Sequence, residues 1–292
     1  MAWRLTGSLA EFLAAAGDHL RSDPVQNTVL LTVLETLRQS GSSAYGDSPP
    51  VYGWHESAVG EVAGAFLQTP PFPVLTAKLP AGSAASFIEL LTSGGKRPTG
   101  ANVAGVDEAD FSAAWTAATG GSTNARLRSR LFRLSGLVPP DPCPPGVARV
   151  ANPDDYDLLV DWHAAFGAET GSNLEHPDRT VADRLSHRGL LLWEADGRPV
   201  AMAGLTRQVA GVTRVAAVYT PAEHRRRGYG GAVTTAASRA AMEAGAAEVV
   251  LFTDQANPTS NALYQRLGYL PIGERVLLDL ERDVTDQQAS SS

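Results

Sequence analysis

The spacing of hydrophobic residues alternates between a helical and a strand-like period through the second half of the chain. Asn152-Pro153 is a typical helix start, and apolar residues then recur at helical spacing through 158–166. Two apolar runs, Leu190–Glu194 and Val200–Leu205, flank Asp196-Gly197, which predicts a β-hairpin. A third strand is expected over Thr213–Thr220.

A small-residue helix is predicted next, ended by Gly245. Its apolar face consists of Ala232, Val233, Ala236, Ala237, Ala240 and Ala244. A buried-type strand follows at Glu248–Thr253, then a short helix at Ser260–Leu267 stopped by Gly268, and a last strand at Glu274–Leu280. This alternation predicts an α/β domain with a mixed central sheet flanked by helices.

The first half runs through a similar order of elements without similarity of sequence. The predicted elements are helices at Ser8–Leu20, Gln26–Arg38 and Ser83–Leu91, strands at Val51–His55, Val59–Leu67, Val74–Lys78, Asn102–Val106 and Arg126–Leu134, and a helix capped by Asp107. Trp54 and Trp115 are expected in the core. The shared order suggests an internal duplication.

The clearest boundary is the proline-dense stretch 138–146 (VPPDPCPPG), which can join neither a helix nor a central strand. We therefore expect domains at 1–137 and 147–281, separated by an extended linker at 138–146. The tail, 282–292, is polar and loses periodicity, so we expect it to be disordered at its end.

Composition narrows the class of protein. The chain has 292 residues, of which 43% are hydrophobic, and its net charge of −7 argues against nucleic acid as a partner. A single cysteine, Cys143, excludes an internal disulfide framework and fits a reducing compartment. Neither a signal-peptide core nor a membrane-length apolar run is found. A cytoplasmic location is expected.

The basic loop Thr220–Gly231 lies between a predicted strand and a predicted helix. Gly228, Gly230 and Gly231 leave backbone N–H groups uncovered at the helix start, where an anion such as a pyrophosphate binds well. The arginines 225–227 add charge and forked donors. A dinucleotide fingerprint would need glycine at Val233, and a P-loop would need Gly-Lys-Ser/Thr. A solvated basic patch on a flexible turn remains an alternative.

Residues 213–270 resemble the GNAT N-acetyltransferase superfamily. The Arg-x-x-Gly-x-Gly loop of that family matches Arg225, Gly228 and Gly230, and its Asn…Tyr-x-x-Leu-Gly-Tyr signature matches Asn257, Tyr264, Leu267, Gly268 and Tyr269. The resemblance extends back to about Val147. It implies an α/β fold of two tandem GNAT-like domains, each a mixed central sheet flanked by helices, with the N-terminal copy degenerate.

The resemblance also implies the residues of an acetyl-CoA site. Val218, Tyr219 and Thr220 would bind the pantetheine arm through their backbone. The pyrophosphate would be held by Arg225, Arg226, Arg227, Gly228, Tyr229, Gly230 and Gly231. Asn257 and Ser260 would contact the cofactor, although Asn257 can equally serve as a helix cap. Tyr264 would be the general acid, and its alternative role is a core aromatic.

The activity implied is transfer of acetyl from acetyl-CoA to a primary amine by direct attack in a ternary complex. A non-catalytic acyl-CoA sensor of the same fold is the alternative. The acceptor is open between small molecules and peptides, no membrane or nucleic acid partner is expected, and a homodimer is possible.

Several assignments stay open. The strand Thr213–Thr220 carries no carboxylate that could act as the base. Candidates elsewhere are Glu169, Glu175, Glu194 and Asp254, or a water relay. His163, His176, His187 and His224 match no metal motif, so we expect them to be ordinary surface or core residues. In the first half, the corresponding loop Lys78–Ser83 lacks arginines and has one glycine, which predicts a structural role there.

Overall fold

A computed structural model of the chain describes residues 2–93, 98–171 and 176–282. The α-helices are α1 Leu9–Ser22, α2 Thr28–Ser40, α3 Ala84–Thr92, α4 Glu108–Thr119, α5 Tyr156–Thr170, α6 Pro177–Ser186, α7 Tyr229–Glu243 and α8 Pro258–Arg266. The strands are β1 Ala2–Thr6, β2 Val51–Glu56, β3 Val62–Gln68, β4 Val74–Thr76, β5 Gly100–Ala104, β6 Thr123–Leu134, β7 Val147–Val150, β8 Leu190–Ala195, β9 Arg198–Leu205, β10 Val212–Tyr219, β11 Glu248–Asp254 and β12 Tyr269–Leu280.

The chain packs into two compact units. The first unit comprises Met1–Arg130 and Gly273–Ser292, and the second comprises Leu131–Ile272. The proline-dense stretch 138–146 therefore lies within the second unit, while most of β12 belongs to the first.

Among the described residues, both halves of the sequence have the same order of α-helices and strands: strand, two helices, three strands, helix, strand, helix, strand. The pairing directions also agree. β3 and β4 are antiparallel and β4 and β5 parallel in the first unit, and β9, β10 and β11 repeat that pattern in the second. The prediction of tandem domains, each with a mixed sheet flanked by helices, is confirmed.

The two halves of the sequence exchange one strand. In the second unit the strand order is β7-β8-β9-β10-β11-β6-β12, so β6 from the first half of the sequence lies between β11 and β12. The order in the first unit is β1-β2-β3-β4-β5-β12-β6, with β12 from the second half inserted in the same position. Each sheet is thus completed by the final strand of the other copy.

The sheet of the second unit is buried on both faces. Along β8, Leu191 and Trp193 pack with α7 in one core, while Leu190 and Leu192 pack with Leu159 of α5 in the other. Because side chains alternate across a strand, a sheet covered on both sides has a near-continuous apolar sequence. This explains why β8 begins with four consecutive apolar residues, Leu190–Trp193.

Local turn chemistry follows the sequence closely. Asp196 and Gly197 have φ values of 51° and 72°, the left-handed pair that a two-residue hairpin between β8 and β9 requires. Gly245 and Gly268 follow α7 and α8 with φ values of 88° and 92°. Trp54 and Trp115 are buried, as predicted.

Other details of the prediction are wrong. Ala244 is exposed, because α7 turns Ala241 to the core instead. Asp107 is the N-cap residue of α4 as predicted, but its side chain makes no capping hydrogen bond; its Oδ2 accepts instead from the N–H of Leu79 at 2.8 Å. β12 begins at Tyr269, five residues earlier than expected. None of the helices that the structure describes combines the length and apolar character needed to cross a bilayer.

Candidate functional site

The strands β10 and β11 part from each other in the second unit. Their parallel pairing, within the described residues, covers Val212–Val215 against Glu248–Leu251. Beyond it, β10 continues to pair with β9 and contains a bulge between Ala216 and Tyr219, where Ala217 has a φ of 51°. A bulge bends its strand and leaves a residue outside the ladder. The end of β10 therefore presents backbone groups to the gap beside β11.

The loop after β10 forms an anion-binding geometry. Arg226 and Gly228 have φ values of 61° and 84°, which turn the chain sharply into α7 at Tyr229. The N–H groups of Tyr229, Gly230 and Gly231 occupy the first helical turn, where no earlier carbonyl of the helix can accept them. These donors and the positive end of the helix dipole converge on the loop.

Two of the glycines also allow close packing at the start of α7. A Cβ at Gly230 would lie 3.5 Å from Oγ1 of Thr220, and one at Gly231 would lie 3.2 Å from Cδ1 of Leu263. Tyr229 is 6% exposed and belongs to the core, so only its backbone can face the loop. The prediction for Tyr229 therefore concerns its N–H group alone.

The three arginines differ in their contacts. Arg225 donates from Nη2 to both carboxylate oxygens of Glu169, at 2.7 and 2.6 Å, and from Nε to the carbonyl of Thr220 at 2.8 Å. Its guanidinium also lies 5.9 Å from the centre of the Tyr219 ring. Arg226 and Arg227 are exposed and make no ion pair with the part of the chain that the structure describes. They are the arginines available to an incoming anion.

Tyr264 lies on α8 with its ring between Phe132 and Tyr269, at centroid distances of 6.4 and 6.2 Å. It is 7% exposed, and burial raises the pKa of its phenol well above the ordinary value. The hydroxyl of Tyr269, in contrast, is 2.6 Å from Oγ of Ser238, and burial raises its pKa to about 12. Tyr264 is thus fully protonated at neutral pH and could donate a proton.

Three polar residues shape the turn between β11 and α8. Asn257 is the N-cap of α8, accepting a hydrogen bond from the N–H of Ser260 at 3.0 Å, so its capping role is observed. Asn261, which sequence reasoning missed, donates from Nδ2 to the carbonyls of Asp254 and Asn257 at 2.8 and 2.7 Å. An amide side chain four residues after a capping asparagine is the signal that could have revealed it.

The candidate bases mostly have other partners. Glu169 accepts hydrogen bonds from Arg225. Glu194 accepts one from Nε of Arg149 at 2.7 Å, and Asp254 accepts one from the N–H of Ala256 at 2.9 Å. Glu175 lies outside the described residues. The carboxylates at positions 169, 194 and 254 are therefore engaged in ion pairing or turn formation.

The histidines do not gather into a cluster. In the described ranges, no group of three His, Cys, Asp or Glu side chains could hold a metal ion. His163 is completely buried; its Nδ1 is 2.8 Å from the carbonyl of Leu159, and its Nε2 is 2.9 Å from Nη1 of Arg184. Burial, aided by Arg184, lowers the pKa of His163 to about 4.

The corresponding gap in the first unit is filled by the chain itself. The parallel pairing of β4 and β5 covers Val74–Leu75 against Ala101–Asn102. Just beyond it, Arg275 of β12 donates from Nη2 to the carbonyls of Thr76 and Asn102, at 2.8 and 2.6 Å, and from Nε to Oδ1 of Asn102 at 2.6 Å. Burial lowers the pKa of Arg275 to about 10, so it remains a cation at neutral pH.

Comparisons with known proteins bear on the family and the fold. The model of the Acetyltransferase (GNAT) family matches residues 156–269. Among solved structures, the chain resembles a GNAT-family acetyltransferase from Colwellia psychrerythraea (11% identity, TM-score 0.60, covering 97% of this chain and 100% of that one). It also resembles a GCN5-related N-acetyltransferase from Sphaerobacter thermophilus (15% identity, TM-score 0.61, 96% and 95% covered).

A third similar structure is a tandem GNAT protein from the clavulanic acid biosynthesis pathway, at 14% identity and a TM-score of 0.55, with 96% of this chain and 98% of that one covered. At such identities the likeness concerns the fold. No curated protein matches the chain.

Proposed function

We propose that the second half of this chain, in which the GNAT acetyltransferase family model matches residues 156–269, transfers the acetyl group of acetyl-CoA to a primary amine. The observation that carries the proposal is the loop between β10 and α7. It combines three unpaired helix-start N–H groups with two arginines that have no carboxylate partner among the described residues. This arrangement suits a pyrophosphate.

The residues around the loop fit the rest of acetyl-CoA. Val218 and Tyr219 at the end of β10, with Thr220 directly after it, offer backbone groups beside the gap to β11, which suits the amide groups of a pantetheine arm. Asn257 and Ser260 lie at the start of α8, beyond the end of β11. We assign the thioester to this gap, with Tyr264 of α8 as the proton donor.

The chemistry follows from this placement. The amine nitrogen forms a bond to the thioester carbonyl carbon, the carbon–sulfur bond breaks, and Tyr264 gives its proton to the departing thiolate. Burial raises the pKa of Tyr264 above its ordinary value, so the phenol holds its proton at neutral pH until a thiolate forms beside it. We assign the proton of the amine to a water molecule, since Glu194 and Asp254 already accept hydrogen bonds from Arg149 and from the N–H of Ala256.

The test is calorimetric titration with acetyl-CoA of the wild type and of Arg226→Ala. Loss of a charge-assisted contact costs about 1.5–3 kcal/mol, so we expect affinity to fall roughly tenfold to a hundredfold. Arg188→Ala is a matched control, because Arg188 is also exposed and has a similar φ of 58°. Equal affinity in both variants, or no binding by the wild type, would contradict the proposal.

A further inference from the structure

The guanidinium of Arg225 lies beside a carboxylate and an aromatic ring in the second unit. Its partners are the carboxylate of Glu169, at 2.6 and 2.7 Å, and the face of the Tyr219 ring, 5.9 Å from the ring centre. A carboxylate beside an aromatic face binds ammonium and guanidinium groups by charge and by cation–π attraction. The protein's own arginine thus shows which kind of group this site accepts.

The site is built on one stripe of α5. Trp162, Phe166 and Glu169 follow each other at helical spacing, so they lie on the face that packs toward β10. The ring of Trp162 lies 6.1 Å from that of Tyr219, and both rings are only partly buried. Helix and strand together form an aromatic wall that ends in a carboxylate.

Arg225 belongs to the same loop as the proposed pyrophosphate site. The carboxylate of Glu169 and the pyrophosphate of acetyl-CoA therefore compete for its guanidinium. The side chains of Arg225 and Glu169 are 41% and 47% exposed, and ion pairs that exposed contribute only about 0–1 kcal/mol. A pyrophosphate carries more charge than a carboxylate and matches the guanidinium fork equally well. The pyrophosphate should therefore draw Arg225 away from Glu169.

We propose that Glu169 and the ring of Tyr219 bind a second, cationic group of the acceptor, and that Arg225 fills this site until acetyl-CoA binds. This inference rests on the proposed function. A carboxylate favours the charged form of an amine, so an ammonium held by Glu169 stays protonated and cannot be the nucleophile. The acceptor must then carry another amine that reacts, which makes it a diamine or an amine bearing a guanidinium. Acetyl-CoA would bind first and the acceptor second.

The experiment measures calorimetric binding of diaminobutane with and without saturating CoA. We expect CoA to tighten diaminobutane binding at least tenfold, and we expect butylamine, which has one amine, to bind at least tenfold more weakly. In Glu169→Gln, CoA should no longer tighten diaminobutane binding, and diaminobutane should bind no more tightly than butylamine. Because Arg225 is then released, this variant should also bind CoA about twofold to fivefold more tightly, as loss of a competing surface ion pair implies.

Glu223→Gln is the matched control, since Glu223 is exposed on the same loop and its loss removes the same charge. It should leave the CoA-dependent binding intact. If Glu169→Gln behaves like Glu223→Gln, or if diaminobutane binding is independent of CoA, the inference is wrong while the proposed function stands. Failure of the wild type to bind CoA would overturn both.

Discussion

Tyr264 is held by aromatic packing between Phe132 and Tyr269, and its hydroxyl makes no hydrogen bond within the described residues. Tyr264→Phe should therefore fold with unchanged stability and bind acetyl-CoA within about twofold of the wild type. General acids contribute roughly 10²–10⁴-fold in rate, and we expect a loss of that size, measured as thiol release with an amine substrate.

Tyr269→Phe provides the contrast for this prediction. It removes the 2.6 Å contact with Ser238, which should cost about 1 kcal/mol in the free energy of unfolding and leave turnover intact. Turnover that survives in Tyr264→Phe would mean that Tyr264 only packs the core, and a non-catalytic acyl-CoA binder would then be the better description of the protein.

His163 gives the second unit a dependence on pH. Its pKa is lowered to about 4 in the folded protein, chiefly by burial and then by Arg184, whereas an unfolded histidine titrates near 6.5. Between these pH values the unfolded chain binds one more proton than the folded chain. The contribution of His163 to the free energy of unfolding is therefore fully present above pH ~6.5 and is lost as the pH drops toward ~4. The full difference amounts to about 3 kcal/mol.

His163→Gln can keep contacts to Leu159 and Arg184 without titrating, because an amide both donates and accepts. Urea midpoints measured at pH 7.5 and pH 5 should shift less in this variant than in the wild type. An equal shift in the two proteins would assign the acid sensitivity to other groups.

At the scale of elements, the two gaps between diverging parallel strands differ in what occupies them. In the first unit, Arg275 already satisfies the carbonyls of Thr76 and Asn102, so backbone groups there are not free for a pantetheine arm. We expect one molecule of acetyl-CoA per chain, measured as the stoichiometry of a calorimetric titration. Two equivalents would show that the gap beside Arg275 can open.

Periodicity predicts elements best where they bury an apolar face and end in a glycine turn. The hairpin of β8 and β9 was predictable from Asp196-Gly197, and α7 from its alanine stripe. α6 was missed because its sequence, PDRTVADRLS, buries only Val181. β1 and β7 are four- or five-residue strands, too short for a periodic signal.

Contacts between distant residues explain what the sequence could not predict in the site. The glycines and the tyrosine were assigned from two short motifs that resemble those of the GNAT superfamily, and each motif is local in the sequence. The pairing of Arg225 with Glu169 joins residues 56 positions apart, and that of His163 with Arg184 joins residues 21 apart. Such pairs depend on how α5 and α6 pack on the sheet, which no local pattern encodes.

For the whole molecule, the exchanged strands predict that neither half folds alone. A fragment of residues 138–292 lacks β6, which lies between β11 and β12, and so exposes unpaired strand edges. We expect this fragment to aggregate when produced alone and to become soluble when produced together with residues 1–137. A cooperative unfolding transition of the isolated fragment would contradict this expectation.

The strand exchange also bears on how such a gene can change over time. After an ordinary duplication, a copy that has lost its ligand can be deleted without harm to the other. Here deletion of the first copy would remove β6 from the sheet that carries the acetyltransferase family match. Selection on the second copy therefore also preserves the first, because each copy supplies a strand on which the sheet of the other depends.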